Sequence, residues 1–158
     1  MRFLGLLLLF ACLLVLLPAR AAEPVVVAVI VPQTHAGGGI ATTELSLIFL
    51  RKKLYWKNGQ RIQPVNLSSD NPLRRVFSHE VLGSLPESQT EYWNIQYYHG
   101  ISPPYVVDSQ EAMLRFVAET EGAIGYVDAC KADNRVKVIA WISEGGLTQS
   151  KPQLDCAN

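Results

Sequence analysis

The sequence predicts one α/β domain built of layers, and three observations carry that prediction. Apolar, β-branched runs alternate with stretches of helical periodicity along most of the chain. No internal repeat and no low-complexity linker divides it. Cutting the 158 residues after Ala21 leaves 137, the size of a single domain.

The elements follow in order. Val25 to Val31 is a continuous apolar run, the pattern of a strand covered on both faces, and is expected as a central parallel strand. Gln33 to Gly39 reads as a flexible loop. Thr42-Thr43-Glu44 then offers a helix N-cap and an acidic first turn, with Leu45, Ile48 and Phe49 on one face and Lys52 and Lys53 suited to the negative end of the dipole. Lys57-Asn58-Gly59 is a turn. Arg61 to Leu67 is extended, and Pro64 within it argues for an edge or irregular strand.

Asn71-Pro72 marks a second helix start, with Leu73, Val76, Phe77 and Val81 as its buried stripe and Gly83 as its stop. Glu87 to Tyr98 is expected as a third helix carrying Tyr92, Trp93, Tyr97 and Tyr98, and Ser102-Pro103-Pro104 breaks the pattern. Asp108 with Glu111 resembles a capping box for a helix that buries Met113, Phe116 and Val117 and stops at Gly122. Strands are expected at Ala123 to Val127 and Val136 to Ile142, before a polar tail from Ser143 to Asn158.

The first 21 residues give the chain an address. Met1-Arg2, a 15-residue apolar run from Phe3 to Leu17, Pro18 and the small-x-small site Ala19-Arg20-Ala21 describe a secretory signal peptide cleaved near Ala21. The run is shorter than the roughly 18 residues of a spanning helix. Leu9-Phe10-Ala11-Cys12 faintly resembles a lipoprotein box. A Cys12 start, however, would leave Leu13 to Leu17 in the mature chain, and Phe10 is bulky for its position.

Removing Arg2 and Arg20 leaves 12 basic against 14 acidic residues, a formal charge of −2, and no basic face for nucleic acid. Cys12 leaves with the signal. Cys130 and Cys156 remain as an even pair in an oxidising compartment, where they are expected to bridge and tie the tail to the body.

Catalytic signatures are missing. His35, His79 and His99 show no metal-ligand spacing, and no carboxylate cluster completes a site. Ser69, His79 and Asp108 make a triad on paper only, because no Gly-x-Ser-x-Gly elbow accompanies them. The glycines at 37 to 39 lack the Gly-Lys-Ser/Thr ending of a phosphate loop. No enzyme, cofactor or metal is expected. Asn66-Leu67-Ser68 is a glycosylation sequon, with meaning only in a eukaryotic secretory pathway.

Several stretches together resemble the periplasmic phosphate-binding-protein-like family, the substrate-binding components of phosphate ABC importers and their small relatives. They are Glu44 to Phe49, Tyr55 to Val65, Arg75-Val76-Phe77, Tyr92-Trp93, Gly100 with Pro103 and Pro104, and Gly122 to Val127. The resemblance spans about residues 25 to 142, and order and spacing carry it. It implies that residues 22 to 142 form one lobe of that kind, a mixed, mostly parallel sheet flanked by helices.

It also implies a periplasmic protein that captures phosphate or another small oxyanion for a membrane importer. Full-length members close two lobes on an oxyanion held by amides, hydroxyls at helix N-termini and an arginine, and helix N-termini suit that task. The corresponding stretch here is Asn66 to Arg75, and Ser68, Ser69, Asp70 and Arg74 are its candidate ligand residues. The sequence departs from the pattern. Asn66 stands where the family has an upstream arginine, the Ser-Gly-Thr start is missing, and Pro72 removes one amide donor.

Each piece also has a plain structural reading: Ser68 to Arg75 as a capped helix with solvated arginines, Gly125 as a point of tight strand packing, and Trp56 and Trp93 as core anchors. A chain of half the usual size leaves a second function open, a single-lobe interaction or sensory module in the periplasm without transport activity.

Overall fold

The computed structural model describes residues 25–156. The expected signal peptide, 1–21, and its cleavage site lie outside the described residues. Every residue of β1 (Val27–Pro32) is buried, as its unbroken apolar run requires. It forms the middle of a six-stranded sheet with β2 (Gln63–Leu67), β3 (Tyr105–Val107), β4 (Ala123–Asp128), β5 (Val136–Ser143) and β6 (Gly146–Thr148), in the order β3-β2-β4-β1-β5-β6.

The expected mixed sheet flanked by helices is present, but the direction of β1 is corrected. It runs antiparallel to both β4 and β5, with Val29 opposite Tyr126 on one side and Ala140 on the other. A strand covered on both faces reads as continuously apolar whichever way its neighbours run, so hydropathy could not fix direction. Parallel pairing is confined to β2 with β3 and β2 with β4, and the sheet is therefore less parallel than expected.

Pro64 was also misleading, because β2 is an interior strand. Gln63 donates its backbone N–H to the Gly122 carbonyl on the β4 side, so position 64 faces the β3 side, where pairing starts only at Val65 with Tyr105. The missing proline N–H falls where no ladder bond is needed.

Helices cover both faces. On the Tyr126 side lie α1 (Thr42–Phe49) and α2 (Pro72–Leu82), whose Phe49 and Phe77 meet at a ring distance of 4.5 Å. Phe77 stacks on Tyr126 at 4.1 Å and 7°. Strand residues alternate between faces, so Gly125 points the other way, toward α4 (Gln110–Glu119). A Cβ there would strike the Met113 sulfur and press on Val65 and Val117, which makes Gly125 a packing glycine.

The helix ends hold partly to expectation. Asn71 caps α2, accepting from the Leu73 N–H at 3.0 Å, and Gly83 ends it in the left-handed region at φ 64°. The cap of α4 is Ser109, which accepts from Ala112, and not Asp108. Position 41, an alanine without a side-chain cap, precedes α1, so Thr42 and Thr43 are already helical. Lys52 and Lys53 lie beyond the end of α1, where Lys53 pairs with Glu44 and Lys52 sits 5.7 Å over the Tyr92 ring.

The third helical stretch divides into a 3-10 turn, Pro86–Gln89, and α3 (Thr90–Tyr98), which buries none of its residues. The tail holds β6, paired to β5 across Glu144-Gly145, and Cys156 is joined to Cys130 with a Cα separation of 5.5 Å. Among the described residues no helix is long and apolar enough to cross a membrane, and no group of three or more His, Cys, Asp or Glu could hold a metal ion.

Candidate functional site

The parallel strands β2, β3 and β4 all end at one edge of the sheet, and α2 and α4 both begin there. Crevices outside the carboxyl ends of parallel strands are the usual ligand sites of open α/β sheets. Here the crevice is a cleft of about 620 Å³ lined by residues that include Asn71 at the start of α2, Ser109 and Gln110 at the start of α4, and Lys131, Asp133 and Arg135 from the link between β4 and β5. Gln110 fixes one wall by accepting the Asp128 N–H at 2.7 Å.

Arg135 organises the rim. Its Nη1 and Nη2 donate to the two Glu111 oxygens at 2.7 and 2.9 Å, and its Nε and Nη2 to Asp133 at 3.0 and 2.7 Å. These bonds hold both carboxyls below their ordinary range. Lys131 lines the same cleft and has no ion-pair partner among the described residues.

The four residues expected from the sequence separate into two places. Ser68, Ser69 and Asp70 form the loop between β2 and α2, with Ser69 and Asp70 exposed. The Ser68 hydroxyl holds the Asp70 carboxyl below its usual value, so the loop carries a negative charge at neutral pH. None of these three lines the cleft, which this loop meets through Asn71.

Arg74 turns inward and is only 7% exposed. Its Nε and Nη1 are buried without a hydrogen-bond partner among the described residues, and desolvation lowers its pKa. Its charge is felt by the Tyr126 phenol, which burial pushes up. That phenol donates to Asn66 Oδ1 at 3.2 Å and accepts the Leu67 N–H at 3.3 Å. A buried polar cluster thus sits under the end of β2, one residue before the Ser68 loop. Asn66, 4% exposed, serves this cluster, which hides the sequon from solvent.

Sequence reasoning missed Lys131, Asp133 and Arg135, and took Glu111 only for a helix cap. Their signal is faint: alternate charges in a short link after an apolar strand, which reads equally well as a solvated turn.

No family model and no curated protein matches the chain. Solved structures do. An ABC-type phosphate transport receptor from Vibrio cholerae is 20% identical with a TM-score of 0.59, the match covering 73% of this chain and 46% of that one. A protein assigned as a phosphate ABC transporter substrate-binding protein, with bound phosphate, from Clostridium perfringens is 19% identical with a TM-score of 0.59, covering 73% and 45%. PstS from Borrelia burgdorferi is 16% identical with a TM-score of 0.57, covering 73% and 47%. The chain spans less than half the length of these proteins, and what it shares with a portion of each is the fold.

Proposed function

We propose that the mature protein is an exported, periplasmic binding protein, with residues 1–21 removed as a signal peptide, that takes phosphate or a similar small oxyanion and serves an ABC importer. The observation that carries the reading is Arg74, a buried guanidinium whose Nε and Nη1 find no hydrogen-bond partner among the described residues. A charge so placed is costly unless something pairs with it. Ser68 and Ser69 supply hydroxyl donors beside the start of α2, where the helix dipole favours an anion although Pro72 has no N–H and Asn71 already caps that of Leu73. The likeness of the fold to that of phosphate receptors supports an oxyanion as the ligand.

Asp70 sets a condition on the ligand. An ionised carboxylate repels a bare dianion but accepts a hydrogen bond from a protonated one. Titration calorimetry of the mature protein against inorganic phosphate and sulfate tests the reading. Micromolar phosphate binding that is lost in Arg74→Met and weakened in Ser69→Ala supports it; no heat from either anion refutes it.

A second reading is favoured by α3. This helix buries none of its residues, and Ile95, Tyr97 and Tyr98 are exposed, the last at 88%. Exposed aromatics of this kind mark partner surfaces more often than free ones. On that reading the lobe is a periplasmic interaction or sensory module without transport activity, and a partner recovered by pull-down, together with silence toward oxyanions, distinguishes it.

A further inference from the structure

A second cavity, of about 290 Å³, lies at the opposite edge of the sheet, where β1 ends beside the start of β4. Trp56, Ile40 and Ile139 supply its apolar walls. Trp56 is fixed in place: its Nε1 donates to the Gly122 carbonyl at 3.1 Å, and the His35 ring meets it edge-on at 4.6 Å. The aromatic wall is therefore pre-formed, as ligand pockets usually are.

The polar side of the cavity is backbone. Gly37, Gly38 and Gly39 line it, and none of the N–H groups from Ala36 to Ile40 donates a hydrogen bond among the described residues. The segment is nonetheless held, because Lys137 Nζ donates to the carbonyls of His35 at 3.2 Å and Gly37 at 2.8 Å. A Cβ on Gly38 would meet nothing within 4 Å, so this residue is not packed against the rest of the described protein.

The local charge is positive. Lys137 lies behind the glycines and Lys57 at the rim, while Glu44, the one carboxylate of the lining, is paired with Lys53. Burial and the charge of Lys137 lower the His35 pKa, so its ring is neutral at pH 7 and adds to the apolar wall.

Free amides, nearby cations and a rigid aromatic wall recognise one kind of molecule. We propose that this cavity binds a small organic carboxylate with an apolar group, the carboxylate on the Gly37 to Gly39 backbone and the apolar part against Trp56, Ile40 and Ile139. The same chemistry is carried by a free carboxylic acid and by the C-terminus of a peptide ending in an apolar residue. The site is remote from the cleft between α2 and α4 and does not depend on phosphate binding.

The test uses the mature protein with phenylacetate as the acid, phenylacetamide as its neutral counterpart, and a tetrapeptide ending in Phe with a free or amidated terminus. Binding is followed by calorimetry and by the NMR signal of the Trp56 indole N–H. Phenylacetate is expected to move that signal and to bind about tenfold more tightly than the amide, the effect of one charge-assisted hydrogen bond. Gly38→Pro, which removes an N–H, weakens phenylacetate about tenfold, whereas Gly38→Ala keeps it. Tighter binding of the free-terminus peptide than of phenylacetate assigns the site to chain ends; the reverse order assigns it to free acids. Equal binding of acid and amide, or an unmoved Trp56 signal, overturns the proposal, and this comparison holds even if Gly38→Pro misfolds.

Discussion

Replacing Arg74 with methionine separates stability from binding in one variant. The side chain is 7% exposed, and two of its nitrogens are buried with no partner among the described residues. Each unmade bond of this kind costs about 1–3 kcal/mol, and apolar replacement of buried charges is often stabilising by a similar amount. Methionine keeps most of the aliphatic stem that packs beneath α2 and removes only the guanidinium. A net gain of about 2 kcal/mol is expected, which for a chain of this size raises Tm by roughly 7 °C. Calorimetric melting with and without inorganic phosphate reads both effects at once. The expected pattern is a higher Tm in buffer together with loss of the phosphate-induced shift. A lower Tm in buffer refutes the claim that the guanidinium is unpaired, and a retained phosphate shift refutes its role in binding.

Three other outcomes follow from the packing and the charges. Gly125→Ala drives a methyl into the Met113 sulfur and should destabilise by about 1–3 kcal/mol in urea unfolding, and Met113→Ala should cost less in the Gly125→Ala background than alone. Cys130→Ser opens a bridge of 26-residue separation and should cost about 3 kcal/mol in the same assay under non-reducing conditions. Arg135→Gln should destabilise at pH 7 and progressively less as pH falls, because the depressed folded-state pKa values of Glu111 and Asp133 place their stabilisation above the ordinary carboxyl range and lose it as those groups protonate. A wild-type minus variant Tm difference that stays constant from pH 7 to about pH 3 refutes that linkage.

How much of this was legible follows from where each residue's information lies. Helix α2 was readable because its signals are local: Asn71 caps, Pro72 starts, Gly83 stops, and Phe77 lies on the buried stripe between them. The orientation of β1 was not, since direction depends on which distant strands flank it, and both β4 and β5 are nearly a hundred residues or more away in sequence. Pro64 misled for the same reason. Its tolerance rests on where pairing with Tyr105 begins, a property of the partner strand. The aromatic stack of Phe77 on Tyr126, which anchors α2 over the sheet, likewise joins residues whose contact no periodicity predicts.

The same division explains the candidate site. The Ser68 to Asp70 loop was found because the family pattern places it there, and its charge could be read directly. The burial of Arg74 could not be read, because an arginine in the first turn of a helix is ordinarily solvated and only the tertiary fold turns it inward. That inward turn alters the electrostatic argument. The cleft rim carries Lys131 and Arg135 against Asp108, Glu111 and Asp133, and Arg135 is already committed to two of those carboxylates. An anion approaching the rim therefore meets a lysine without an ion-pair partner among the described residues and the amides at the start of α4, with Asp70 and Asp108 opposing it. On the proposed reading the further positive charge is that of Arg74, which burial places in a low-dielectric setting. Phosphate-induced NMR shifts are accordingly expected at Ser68, Ser69 and Arg74 and along α2 to Ser78, and shifts confined to the rim residues Lys131 and Arg135 refute a role for Arg74.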